Sequence, residues 1–385
     1  MRACHVALRN VALVLASLAP WAGAVRAEGH EYVLWRLRAS EGPSHRWKHA
    51  MAFDSARCVT VLFGGCDDSW NLNAETWEWD GTVWAERFPD HNPSARFWHA
   101  MGYDSARGVT VLFGGCDTTY NPNAETWEWD GTDWTMRWPG GSPPACLGHA
   151  MAYDSARGVT VLFGYFPDGG ETWEWDGNAW VLRATTGPNA RSGHVMAYDS
   201  VRNRTVLWGG NDYSYTYRDT WEWDGNTWVL RTDNEGPPAL WAPAMVYDSL
   251  GGASVLFGGS DAPGVGDLTW EWDGSVWTLR ATGGCPPRHS HAMAYDSARN
   301  VTVLFGGSIA ADRDTWELQR YFAGDLNCDG AVGFGDINPF VLALTNWGLY
   351  LQEYPECDIY LADINADGYV DFGDINPFVA LLTGQ

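Results

Sequence analysis

The stretch HAMAFDSARCVTVLFGG at residues 49–65, followed by ETWEWDG at residues 75–81, decides the fold of this chain. Copies of its first half, the fourth of them degenerate, begin at five further positions: His99, His149, His194, Pro243 and His291. The unit therefore occurs six times, with a period of about fifty residues. Repeats of this length are typical of supersecondary units that bury their apolar faces against one another.

Each repeat predicts four short strands, separated by turns rich in Gly, Asp and Ser. In the first repeat these are His-Ala-Met-Ala-Phe, Val-Thr-Val-Leu-Phe, Thr-Trp-Glu-Trp and a last strand that carries Trp84 and Arg87. Four strands in a unit of this size predict one blade of a β-propeller. Trp77 and Trp79 stand two residues apart, so both project from the same strand face, towards the neighbouring blade.

The two ends of the repeat region complement each other. The sixth repeat stops at Leu318 without a fourth strand, whereas the segment from Trp35 to Ala39 matches the fourth strand that begins at Trp180. We predict that the N-terminal strand completes the last blade, which closes the ring and leaves no open sheet edge. The predicted fold is an all-β, six-bladed propeller within residues 28–322, followed by a small α-helical domain at residues 323–385.

The glycine doublet after an apolar strand, followed at a variable distance by tryptophan, resembles the kelch repeat. The resemblance covers about 290 of the 385 residues. It implies a propeller fold, but kelch propellers include protein-binding scaffolds, sugar-acid isomerases and copper-radical oxidases similar to galactose oxidase. No oxidase residue can be transferred onto this chain, so any catalytic residues stay unknown.

Composition and the first residues bear on where the protein works. The formal net charge is -24, which disfavours nucleic acid and anionic membranes as partners. Residues 1–27 carry Arg2 and Arg9, an apolar run and small residues suited to cleavage, as in a secretory signal peptide. The rival interpretation, a membrane anchor, needs an apolar run of about 20 residues, and this run is shorter. We therefore expect a secreted, extracellular or cell-surface protein with no membrane span after cleavage.

Strand order places the loops after the second strand and the links between blades on one face, the candidate binding face. This variable face carries aromatic residues outside the repeat pattern: Trp70, Trp98, Tyr120, Trp138, Tyr213, Tyr215 and Trp241. Aromatic rings with carboxylates nearby suit sugars, whose C–H faces pack on rings while their hydroxyls need hydrogen-bond partners. The alternatives are that the rings bind a protein or that they only pack their own loops.

Five repeats start their innermost strand with a histidine, and one interpretation is a ring of metal ligands around the axis. In a propeller, however, side chains of the innermost strand point towards adjacent blades. We therefore interpret His49 and its equivalents as groups that make hydrogen bonds between blades.

The C-terminal segment has a different chemistry. Residues 324–385 contain ten Asp and Glu and no Lys or Arg. Oxygen ligands recur in two loops with the spacing of calcium sites: Asp325, Asn327, Asp329, the Ala331 carbonyl and Asp336, then Asp363, Asn365, Asp367, Tyr369, Asp371 and Asp374. Crowded carboxylates repel one another without a cation, so we predict two calcium ions. Cys328 and Cys357 are the predicted disulfide pair, because a small domain with a modest core gains from a covalent link.

Paired twelve-residue loops with Asp at position 12, each followed by one helix, resemble a type I dockerin. The resemblance implies calcium-dependent folding and docking onto a cohesin-like or other cell-surface protein. Where type I dockerins commonly have small hydroxyl residues, this chain has Phe334-Gly335 and Phe372-Gly373. The rival role for the module is a surface anchor or a stability cap.

Three functions remain open from the sequence. The preferred hypothesis is a secreted, non-catalytic propeller that binds a glycan or a protein on its variable face and is attached to a larger assembly through the calcium module. The second is a carbohydrate-active enzyme, a glycoside hydrolase, lyase or sugar oxidase, with its site on the same face. The third is a structural surface protein whose aromatics are buried.

Overall fold

The computed structural model describes residues 31–166, 169–212, 214–260, 264, 266–308, 313–329, 331–355, 357–365 and 368–383. The predicted signal peptide, Tyr213 and Asp367 lie outside these residues. Trp35–Leu318 form one compact unit, and residues 31–34 join the segment from Gln319 onwards in a second. No helix in the described part of the chain is long and apolar enough to span a bilayer.

The described part of the first unit consists of antiparallel sheets, each of four strands, and the first three blades follow the chain order. Blade 1 contains β2 (Ala50–Asp54), β3 (Val59–Phe63), β4 (Thr76–Trp79) and β5 (Trp84–Arg87). Blade 2 contains β6 (Phe97–Asp104), β7 (Val109–Cys116), β8 (Thr126–Trp129) and β9 (Trp134–Arg137). Blade 3 contains β10 (Ala150–Asp154), β11 (Val159–Phe166), β12 (Gly169–Trp175) and β13 (Trp180–Ala184).

The remaining blades complete the ring. Blade 4 contains β14 (Val195–Asp199), β15 (Arg204–Trp208), β16 (Thr220–Trp223) and β17 (Trp228–Thr232). Blade 5 contains β18 (Ala244–Asp248), β19 (Ala253–Phe257), β20 (Leu268–Trp272) and β21 (Trp277–Thr282). Blade 6 contains β22 (Ala292–Asp296), β23 (Val301–Phe305), β24 (Thr315–Phe322) and, as its outer strand, β1 (Glu31–Ala39).

The prediction that the N-terminal strand completes the last blade is confirmed. Strand β1 pairs with β24 in the order β1-β24-β23-β22. Trp35 in β1 donates its indole N–H to Thr269 Oγ1 of the preceding blade at 2.9 Å. In blade 1 the equivalent Trp84 makes the same bond to Thr315 Oγ1 at 2.7 Å. The N-terminal strand thus carries the inter-blade contact of an outer strand, and the chain is a closed six-bladed β-propeller.

Buried ion pairs and tryptophans join neighbouring blades. Glu78 in β4 is 2% exposed and accepts from Arg57 Nη1 at 2.5 Å and from Arg87 Nε at 2.8 Å. Trp129 of blade 2 donates its indole N–H to the same carboxylate at 3.1 Å. Because the carboxylate is buried, its charge has to be matched by these donors. The repeated Glu, Arg and Trp therefore fix the position of neighbouring blades, except between blades 5 and 6, where Gly251 and Leu318 replace the arginine and the tryptophan.

The C-terminal unit contains three α-helices within its described residues. They are α1 (Ile337–Thr345), α2 (Trp347–Glu353) and α3 (Ile375–Thr383). Short 3-10 turns precede and separate them at Phe334–Asp336, Ile359–Ala362 and Phe372–Asp374. The sequence interpretation expected one helix after each loop, and α2 adds a third between them.

The core of this unit reflects its internal duplication. Phe340 of α1 and Phe378 of α3 stack with ring centroids 4.2 Å apart and are each 3% exposed. Leu326, Tyr350 and other apolar residues surround this pair. A disulfide joins Cys328 to Cys357, with their Cα atoms 5.8 Å apart. The bond ties the first acidic loop to the segment that precedes the second.

Candidate functional site

The strand register places the variable loops on one face of the propeller. In blade 1, Ala50 pairs with Phe63 and Phe63 with Thr76, which puts the start of β2, the end of β3 and the start of β4 at the same end of the sheet. The loop at residues 64–75 and the links between blades therefore open on this end, the variable face.

A ring of six residues surrounds the propeller axis on the variable face. Each stands immediately before the repeated histidine or, in blade 5, before Pro243 at the equivalent position. All six have a left-handed φ between 50° and 66°: Lys48, Trp98, Gly148, Gly193, Ala242 and Ser290. Backbone bonds link neighbours, for example Lys48 N–H to Ser290 O at 2.8 Å and Trp98 N–H to Lys48 O at 3.0 Å. Most backbone N–H groups of this axial ring donate to carbonyls of neighbouring ring residues. The side chains of the six residues are therefore the groups left to contact a ligand.

Lys48, the single lysine of the chain, lies among aromatic rings. Its Nζ is 3.8 Å from the ring centroid of Trp98, 4.2 Å from that of Trp47 and 4.6 Å from that of Trp70. Phe97 and Trp241 follow at 5.2 Å and 5.9 Å. The residue is 6% exposed. Ring faces attract a cation, so this arrangement holds an ammonium group on the variable face.

Four of the seven predicted aromatic residues belong to one cluster around this lysine. Ring centroids of Trp70 and Tyr120 lie 6.0 Å apart, those of Trp98 and Tyr120 6.1 Å, and those of Trp98 and Trp241 6.4 Å. Trp47, Phe97 and His289 complete this aromatic cluster. Trp70 is 38% exposed and Tyr120 is 47% exposed, so the cluster presents ring surface to solvent.

The other predicted aromatic residues lie apart from the cluster. Trp138 is 82% exposed, and no ring–ring contact among the described residues involves it. Tyr215 packs against Tyr217 with centroids 5.0 Å apart and donates its hydroxyl to Asn234 Oδ1 at 3.3 Å. Tyr213 lies outside the described residues. Four of the seven predicted residues therefore lie together, and contact of these residues with a ligand stays a prediction.

Sequence reasoning missed Lys48, Trp47, Phe97 and His289 as members of this site. A signal was present for the first of them: the chain contains one lysine, and it stands directly before a repeated histidine. The equivalent positions carry Trp, Gly, Gly, Ala and Ser, so the repeat pattern itself is broken there. Breaks in a repeat are where a unique ligand contact is expected.

An axial cavity of about 110 Å³ lies within the ring. Its lining consists of the six ring residues and the residue that follows each of them: His49, His99, His149, His194, Pro243 and His291. His99 Nε2 lies 3.1 Å from the Phe63 carbonyl of the preceding blade, and His194 Nε2 lies 3.0 Å from that of Phe163. Burial lowers the pKa of both imidazoles to about 3, so they are neutral. For His99 and His194 these contacts agree with the interpretation that the histidines join blades, whereas Nε2 of His49, His149 and His291 has no hydrogen-bond partner among the described residues.

The two acidic loops resemble each other: in each, backbone N–H groups donate to the carboxylate at loop position 12. Asp336 is fully buried and accepts from Leu326 N–H at 2.7 Å and from Gly333 N–H at 2.8 Å. Asp374 is equally buried and accepts from Ile364 N–H at 2.7 Å. In each loop the position-12 Asp thus closes the loop through backbone amides.

The donor set of these loops fits a hard cation. Asp325 and Asp363, at the first loop positions, are 3% and 1% exposed, and the segment contains no Lys or Arg to balance them. Buried carboxylates and carbonyls without a basic side chain are the ligands that Ca²⁺ prefers. Among the described residues, however, no three His, Cys, Asp or Glu side chains already converge as metal ligands.

The chain matches no known protein-family model, and no curated protein matches it either. The kelch and dockerin resemblances therefore rest on the residues quoted above.

Proposed function

We propose that the protein is a secreted binding module that holds a glycan on the variable face of its propeller. The observation that carries this proposal is the partly exposed aromatic cluster, which gathers rings from blades 1, 2, 5 and 6 around the axis. Flat ring surface beside hydrogen-bonding groups suits the alternating apolar and polar faces of sugars. A soluble protein rarely exposes several contiguous rings without a partner for them.

The two exposed rings of the cluster are displayed by matching loops. Trp70 and Tyr120 both have a left-handed φ, 62° and 60°, and each donates its backbone N–H to the carbonyl three residues earlier at 3.0 Å. Asp67 and Asp117 brace these turns by accepting Ser69 N–H and Thr119 N–H, each at 2.8 Å. A left-handed φ is costly for an aromatic residue. Rings that only filled a core would not need such a turn, so the loops support display to a ligand.

A glycan array probed with the full secreted chain tests this function. We expect binding that weakens by about tenfold or more in Trp70→Ala and in Tyr120→Ala, because central aromatic contacts carry most binding energy. Trp138→Ala is the matched control, since it removes an exposed tryptophan outside the cluster. Absence of binding to every glycan on the array, or an equal loss of affinity in all three variants, would refute the proposal. Product analysis on each bound glycan separates recognition from the alternative, a carbohydrate-active enzyme.

We propose that the C-terminal unit is a calcium-dependent docking module that attaches the propeller to an extracellular or surface assembly. Helices α1 and α3 border an apolar groove of about 270 Å³. Val341 and Val379, at equivalent places, are 51% and 49% exposed. Phe334 and Phe372 add rings that are 81% and 73% exposed. A patch of this kind on a small acidic unit suits a protein partner, which the dockerin resemblance would make a cohesin-like or other cell-surface protein.

Calorimetric titration of calcium into the chelator-treated full chain tests the module. We expect two bound ions, and one in Asp329→Ala, because that change removes a carboxylate from the first loop only. Glu353→Gln is the control, since Glu353 is exposed on α2 outside both loops. No heat of binding in the unsubstituted chain would refute calcium binding.

A further inference from the structure

No acidic group among the residues that the structure describes matches the charge of Lys48. Among the described residues no carboxylate forms an ion pair or a hydrogen bond with it, and five of the seven rings of the aromatic cluster lie within 6 Å of its Nζ. The thiols of Cys66 and Cys116 lie close enough to act on it electrostatically. Burial raises the pKa of these thiols to about 11 and about 12, so both are neutral. Within the described part of the chain the ammonium thus has no acidic counterion, although the sequence contains 48 acidic residues.

The axial cavity beside this lysine is equally free of acids. Lys48 is one of its twelve lining residues, and none of the others is Asp or Glu. Its histidines are neutral, because burial lowers their pKa. Ser290 brings a hydroxyl to the axial ring, and Gly148 and Gly193 add no side chain to it. At about 110 Å³ the cavity exceeds the roughly 10–15 Å³ that one water needs, so a small polar group has room.

We propose that Lys48 binds an oxyanion substituent, a carboxylate or a sulfate, of a glycan whose sugar ring lies on the aromatic cluster. This inference rests on the proposed glycan binding and names its ligand class, acidic sugars. An ammonium donates three hydrogen bonds, and the rings around Lys48 accept none of comparable strength. A ligand oxyanion supplies the acceptors and the counter-charge together.

The negative charge of the rest of the protein restricts how many acidic groups the ligand can carry. A net charge of -24 repels densely charged polyanions at long range. Asp68 and Asp117, both in the exposed loops that carry Trp70 and Tyr120, add negative charge close to the cluster. The preferred ligand is therefore an oligosaccharide with one acidic group among neutral sugars.

Burial lowers the pKa of Lys48 to about 8, so the amine is mostly protonated at neutral pH. The ring faces favour the same charged form. A lysine that served only to fill the cluster would stabilise the fold without distinguishing acidic from neutral ligands, and this difference separates the two roles.

The test uses matched pairs of oligosaccharides and the full chain at neutral pH. Each pair consists of an acidic oligosaccharide and its neutral counterpart, uronate against carboxyl-reduced, and sulfated against desulfated. We expect the acidic member of one pair to bind about 10- to 100-fold more tightly, the range of one charge-assisted contact. Lys48→Met should abolish this difference, and Lys48→Arg should keep most of it. The pair that shows the preference identifies the oxyanion.

Equal binding of acidic and neutral members, unchanged in Lys48→Met, would overturn the inference while the glycan function stands. No binding of any oligosaccharide would refute the glycan function itself. Binding of an acidic peptide but of no oligosaccharide would assign the site to a protein partner and overturn both. If Lys48→Met fails to fold, the comparison between the unsubstituted chain and Lys48→Arg on the same pairs still decides: a preference absent from both contradicts the inference.

Discussion

Replacing Glu128 by glutamine should destabilise the propeller strongly, although the change is nearly isosteric. Glu128 lies in β8 and is 1% exposed. Its carboxylate accepts from Arg107 Nη1 at 2.5 Å, from Arg137 Nε at 2.7 Å and from Trp175 Nε1 of the next blade at 3.1 Å. The glutamine amide places N–H donors against guanidinium groups and leaves Arg137 without its counter-charge, whereas Arg107 keeps Asp104 Oδ2 at 2.7 Å.

The expected cost follows from this loss of a buried partner. Removing one member of a buried ion pair typically lowers the free energy of unfolding by about 3–5 kcal/mol. Two charge-assisted hydrogen bonds, at about 1.5–3 kcal/mol each, give a similar figure. We therefore expect Glu128→Gln to lower the free energy of unfolding by about 3–5 kcal/mol at pH 7.

Blade 5 supplies the matched control within the same protein. Glu271 is the equivalent residue, but Gly251 and Leu318 stand where other blades have the turn arginine and the second tryptophan. Burial raises the pKa of Glu271, so its ionised form is disfavoured in the folded protein. Glutamine gives up the ion pair with Arg280 Nε at 2.5 Å but avoids the cost of burying the carboxylate charge, and these two effects oppose each other. Glu271→Gln should therefore change the free energy of unfolding by no more than about 1 kcal/mol.

Urea unfolding followed by tryptophan fluorescence measures both variants, because 23 of the 25 tryptophans lie between Trp35 and Leu318. Circular dichroism on the same samples checks that the transitions coincide. Equal losses in Glu128→Gln and Glu271→Gln, or a loss below about 1 kcal/mol in Glu128→Gln, would show that the carboxylate charge does not hold the blades together.

Further predictions concern blade 5 and the C-terminal unit. Gly251→Arg restores the turn arginine beside Asp248 and should raise the free energy of unfolding by about 1–3 kcal/mol in the same urea series; an unchanged midpoint would contradict this. Burial also raises the pKa of Asp248, so the folded protein keeps that proton longer than the unfolded chain and loses stability as pH rises through the raised pKa. Asp248→Asn should flatten this dependence in unfolding curves between pH 4 and 7, and an identical slope would count against it. Cys328→Ser removes the disulfide between residues 29 apart and should destabilise the C-terminal unit by about 3–4 kcal/mol. The thermal midpoint of the helical circular dichroism signal measures this loss, and an unchanged midpoint would show that the disulfide does not stabilise the unit.

The sequence alone was enough to predict the blades and how the ring closes. A period of about fifty residues with four strand patterns defines a blade, because side-chain alternation and turn glycines act over a few residues. The match between Trp35 and Trp180 also identified the closing strand, since each outer strand makes the same bond to the preceding blade. The fold could thus be predicted because short-range sequence patterns, repeated six times, determine the strands and turns of each blade.

The aromatic cluster required the tertiary structure. Its rings come from positions as far apart in sequence as Trp47 and His289, and they meet because closure of the propeller brings loops and links of blades 1, 2, 5 and 6 to one axis. The sequence named four of these rings but gave equal weight to Trp138, which lies apart. Lys48 was visible only as an isolated lysine. Which side chains share a site depends on the rotation between blades and on the left-handed backbone of the axial ring, and neither is encoded within a single repeat.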